Sequence, residues 1–255
     1  MSAAPPTRLS FGTAGSLAWL GLVWLAILWW TVASPRPGLL VAAIVSVLGP
    51  GILWWRQRQY SPAWLWPATI AFFMTTSLAA LSVTSSLVWQ YGLITVSAAF
   101  VGLELDHQPR LDRLPQSRRL TMLIVALGLF FGWLTLLSFG VGIFLPLAWG
   151  WLVVGGAVVT VVAAIIAWVA AGVPWTTFRK IVPLVSLLGG LFMVGTWWLP
   201  TPVHVGSIVA ATALTLWFQT CRHVWLGTWE SGRGRRYLLT AGSLIGLVLG
   251  TARWI

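Results

Sequence analysis

Two stretches of the chain hold residues whose types and spacing suit chemistry. The first is the polar segment 104–119, where Glu104, Asp106, His107 and Asp112 place three of the four acidic residues beside a histidine. Carboxylates with an imidazole are the donor set of a divalent cation site. Arg110 and Arg113 are interleaved with them, however, and the ligand spacing does not repeat. Ion pairing on a wet surface accounts for the cluster, and no metal is expected. The second stretch is 203–223. Ser207, Ala211, Thr215 and Gln219 recur every four residues, which on a helix lines one side. Such a face either hydrogen-bonds a neighbouring helix or lines a path through the bundle. His204 and His223 flank it nineteen residues apart, roughly 28 Å along a helix, too far to share one ligand.

Residues missing from the apolar runs narrow the chemistry further. No Asp, Glu, Lys or Arg lies near the middle of any run, and such residues are the usual carriers of proton relays and ion coupling. No Ser/His pair, paired carboxylate or metal motif has the spacing an intramembrane enzyme needs. No catalytic residue and no cofactor are expected. The single cysteine, Cys221, rules out an internal disulfide.

The elements that must position these residues follow from composition. Only 7% of the 255 residues are charged, 58% are hydrophobic, and the mean hydropathy is +0.90. Soluble domains carry about 25% charged residues. Apolar runs of about 20 residues recur, the length that crosses a bilayer as a helix. Backbone groups in lipid must be bonded internally, and barrel-type alternation is absent, so the runs are read as helices. The expected fold is an all-α, polytopic transmembrane bundle of about nine spans, a single integral membrane domain over 1–255. Spans one to four occupy about 14–103, the polar loop 104–119, and spans five to nine about 120–251. The apolar stretch after Arg8 is too long for a signal peptide and is read as a retained first span.

Charge sets the orientation. With alternate loops on opposite sides, thirteen cations fall on one face and two, Arg36 and Arg253, on the other. Positively charged loops stay in the cytoplasm, which places the N-terminus in and the C-terminus out, in a bacterial plasma (inner) membrane. Gly49-Pro50-Gly51 interrupts the second run; a re-entrant segment there gives eight spans and the same thirteen-to-two count. Basic loops so distributed explain the net charge of +11 without nucleic acid, so the expected partners are the lipid bilayer and other membrane subunits. The nine-span layout is shared with membrane prenyltransferases, but their aspartate-rich motifs have no counterpart in the inner loops Trp55–Tyr60 and Trp175–Lys180.

Small and aromatic residues complete the picture. Gly242, Gly246 and Gly250 form a strip at four-residue spacing, and Gly128 and Gly132 form a shorter one; both let another backbone approach closely. Gly155-Gly156 and Gly189-Gly190 are smaller notches. Most of the twenty tryptophans lie near run ends, as an interfacial belt, whereas Trp24, Trp133 and Trp217 sit deeper. Two functions fit. One is a carrier or channel-like transporter for a small neutral or lipophilic solute, with Gly49, Pro50, Gly51, Ser207, Thr215 and Gln219 lining its path. The other is a non-catalytic accessory or assembly subunit of a membrane complex that contacts lipid or pigment.

Overall fold

The computed structural model describes residues 11–57, 65–107, 115–141, 149–198, 200–225, 227–228 and 231–251. Among them are nine α-helices: α1 (Phe11–Ala33), α2 (Pro35–Gln57), α3 (Leu65–Val83), α4 (Leu87–His107), α5 (Pro115–Gly140), α6 (Trp149–Ala170), α7 (Trp175–Trp198), α8 (Val203–Trp225) and α9 (Ser231–Thr251). Five of them, α2 and α5 to α8, are long and apolar enough to cross a membrane. Shorter apolar stretches fall in α1, α3 and α4.

Proline and glycine punctuate the bundle. Pro35 and Pro115 open α2 and α5, where a missing N–H costs no helical bond. The carbonyls of Pro174 and Pro202 accept the first free N–H groups of α7 and α8, from Thr177 and Phe178 and from Val205 and Gly206. Two helices end in a left-handed glycine. Beyond α6, Gly172 (φ 84°) donates to Val169 O while Val173 donates to Trp168 O. Beyond α8, Gly227 (φ 60°) donates to Val224 O while Thr228 donates to His223 O. Both are the paired bonds that stop a helix and reverse the chain. Trp175 to Lys180, a link by its polarity, is the first turn and a half of α7. Pro50 and Pro183 lie inside helices that run on through them.

Packing gathers the helices around α5. One buried cluster joins α5 to α6, α7 and α8 through residues such as Leu129, Trp133, Trp168, Met193 and Phe218. A second joins α1 to α4 with the other side of α5 through Trp24, Phe73, Ile94, Ile124 and Phe131. Phe130 packs against both. Ser34 alone separates α1 from α2, and the two helices pack on each other. The α6–α7 crossing is tight: a Cβ on Gly189 would stand 2.9 Å from Gly156 O and 2.7 Å from Thr160 Oγ1.

Candidate functional site

The polar residues of α8 have separate surroundings. Ser207 is fully buried, and its hydroxyl donates to Val203 O at 2.7 Å on its own helix. Bonding back in this way is how a hydroxyl inside a helix satisfies itself in apolar surroundings. Thr215 Oγ1 is buried with no hydrogen-bond partner among the described residues. Gln219 Oε1 accepts from Arg222 Nη1 at 3.5 Å, at the edge of bonding range. The helix packs chiefly on α5 and then on α9. Ala210, Ala211 and Leu214 are buried on that helix between Ser207 and Thr215.

His204 is exposed at the start of α8, and His223 lies at its far end. His223 Nδ1 is 2.9 Å from Thr228 Oγ1, and Nε2 is 3.1 Å from the Tyr237 hydroxyl. The imidazole also stacks on the Tyr237 ring, centroids 5.7 Å apart at 28°. This clasp ties the start of α9 to the end of α8. Sequence reasoning named His223 and missed both partners; Gly227, just past the helix end, is the signal for the turn that brings them back.

At the opposite end of α8, Leu137, Val141, Thr196, Trp197, Thr201 and Gly206 help to line a cavity of about 40 Å³. That is room for a few waters. Thr201 Oγ1 is buried there with no partner among the described residues, while the Thr196 hydroxyl turns back to Phe192 O at 2.8 Å.

The other expected positions are spread over the molecule. Around Gly49-Pro50-Gly51, α2 is continuous helix; Pro50 is buried, Gly51 is exposed, and neither glycine has a neighbour within 4 Å of where its Cβ would stand. Glu104, Asp106 and His107 fall in the last turn of α4, and Asp112 lies outside the described residues. Gly128 faces the Phe72 ring, and Gly132 faces Val159 and Thr76. Gly242, Gly246 and Gly250 meet none of the described residues. Among the described residues no three His, Cys, Asp or Glu come together.

The deep tryptophans are bound into the protein. Trp24 Nε1 donates to Ser97 Oγ at 3.0 Å, Ser97 Oγ donates to Ser77 Oγ at 2.9 Å, and Ser77 donates to Met74 O at 3.0 Å. The thread joins α1, α4 and α3. Trp168 Nε1 donates to Phe218 O at 3.2 Å, linking α6 to α8. Trp133 is fully buried, and its Nε1 has no partner among the described residues. Compared with protein-family models, with curated proteins and with solved structures, the chain matches none.

Proposed function

We propose that the chain is a non-catalytic integral membrane subunit that assembles with other membrane proteins. The helices long and apolar enough to span a bilayer make it a membrane-embedded chain. The arginine bias of its loops supports a bacterial plasma membrane with those loops on the cytoplasmic side. One observation carries the choice of subunit over transporter. Ser207, which begins the α8 polar face, is fully buried with its hydroxyl bonded to its own helix, and the cavity lined by Val203 and Gly206 at that end of the helix has room for only a few waters. That face serves as a packing seam rather than a conduit.

The test is extraction in a mild detergent followed by sizing. A second membrane polypeptide in fixed stoichiometry, whose cellular level falls when this chain is deleted, is the expected result. A particle containing one 27.8 kDa chain alone, which makes vesicles permeable to urea or glycerol, would overturn it.

The alternative, a path for small neutral solutes, is favoured by Thr215. Its hydroxyl is buried on the same face with no partner among the described residues, and a passing solute would supply one.

A further inference from the structure

We infer that the outward face of α9 binds an anionic phospholipid, its phosphate held by Arg235 and Arg236 and an acyl chain laid along the glycine strip beyond them. This rests on the chain being embedded in a bilayer, and it stands whether or not the chain assembles with other proteins.

α9 is mounted on one side only. It packs on α8 far more than on any other helix, with Gly234 and Ala241 buried and Tyr237 held by His223. The opposite side is bare. Leu239 is 59% exposed, and among the described residues nothing lies within 4 Å of where a Cβ on Gly242, Gly246 or Gly250 would stand. α9 is the least apolar of the nine described helices because it opens Ser231-Gly-Arg-Gly-Arg-Arg236. Beyond that its bare side carries exposed Leu238, Leu239, Leu244 and Leu247, apolar surface against which an acyl chain can lie.

Position then joins charge to shape. Arg235, Leu239, Gly242, Gly246 and Gly250 follow one another at spacings of four, three, four and four, so they share one strip of the helix. Arg236 adjoins the strip at the same end, and both arginine side chains are exposed. The segment 222–236 carries four arginines against one glutamate. Guanidinium groups bind phosphate oxygens in pairs, and basic groups at the end of a membrane helix concentrate anionic lipid. Glycine leaves a shallow trough where an extended hydrocarbon chain fits. A second copy of the chain, related by an axis along the membrane normal, would set Arg235 against Arg235, a juxtaposition that like charges oppose.

The experiment is native mass spectrometry of the full chain in neutral detergent, titrated with phosphatidylglycerol, with phosphatidylcholine, and with inorganic phosphate as competitor. Phosphatidylglycerol is expected to be retained in preference to phosphatidylcholine and to resist the competitor. The double variant Arg235→Gln/Arg236→Gln should bind it roughly 30-fold more weakly. Gly246→Leu fills the trough without a clash and should also weaken retention; it decides alone if the double variant does not fold. Equal retention of the two lipids, or unchanged affinity in both variants, overturns the proposal. Displacement by inorganic phosphate overturns it in favour of a free-anion site. A dimer that dissociates in Gly246→Leu overturns it in favour of a second copy. Solubility of the chain in buffer without detergent is a separate outcome that removes the membrane reading itself.

Discussion

Gly21 of α1 and Gly102 of α4 cross with their backbones in contact. A Cβ on Gly21 would stand 2.9 Å from the Gly102 Cα and 3.2 Å from the Ala98 carbonyl oxygen. Seen from the other side, a Cβ on Gly102 would meet the Gly21 Cα at 4.0 Å, an ordinary contact. The crossing is therefore one-sided in what it tolerates.

Gly21→Ala should destabilise the protein by about 1–3 kcal/mol of overpacking, because the obstructing atoms are backbone and cannot rotate away. Gly102→Ala should be neutral or stabilising by up to about 1 kcal/mol, the helix preference of alanine over glycine. Thermal unfolding in detergent separates the two; equal behaviour would refute the asymmetry.

Ser97 both accepts from Trp24 and donates to Ser77. Ser97→Ala strands the buried indole N–H, at a cost of about 1–3 kcal/mol. Adding Trp24→Phe removes the stranded donor. A double-mutant cycle should give a coupling of about 0.6 kcal/mol, the usual size for interhelical bonds in membrane proteins. Zero coupling would mean that the bond does not form.

Thr215→Val replaces a buried, unpartnered hydroxyl by a methyl group of the same shape. If α8 is a packing seam, stability rises by about 1 kcal/mol, since a desolvation penalty disappears. If α8 lines a path, the same variant lowers solute flux in reconstituted vesicles. Unfolding and flux measured on one preparation decide between the two readings.

Tyr237→Phe keeps the ring stacked on His223 and removes the hydroxyl that meets Nε2. Because α9 is attached chiefly to α8, the loss should be local. Hydrogen exchange in α9 should speed up several-fold, matching about 1 kcal/mol, while α5 and α6 keep their protection. Uniform acceleration across all helices would show that the clasp is not local.

Much of the helix layout was legible, because a run of apolar residues long enough to span lipid has few alternatives to a helix. The ends were less so. Trp175 to Lys180 looked like a link because it turns polar, but polarity marks where a helix leaves an apolar layer rather than where it stops. The glycine strips were visible, yet their surroundings were not: Gly128 and Gly132 meet side chains, whereas Gly242, Gly246 and Gly250, at the same spacing, meet nothing within 4 Å. One helix's sequence does not reveal which neighbour it faces. Gly21 and Gly102 left no trace at all, since each is a lone glycine opposed to another far along the chain. The same limit hid Trp168, which nothing in its own helix singles out, although Phe218 O holds it inside. On α8 the four-residue polar rhythm was plain, but the inward bonding of Ser207 depends on a tertiary fit that rhythm does not encode.

The join between α1 and α2 has a consequence for biogenesis. With Ser34 as the sole residue between them, and a Cβ on Gly38 colliding with the Thr31 backbone, the pair has no slack to separate. On the membrane reading proposed above, the two helices are expected to enter the bilayer as one hairpin. A reporter spliced in at Ser34 would then disrupt assembly instead of revealing which compartment that corner faces.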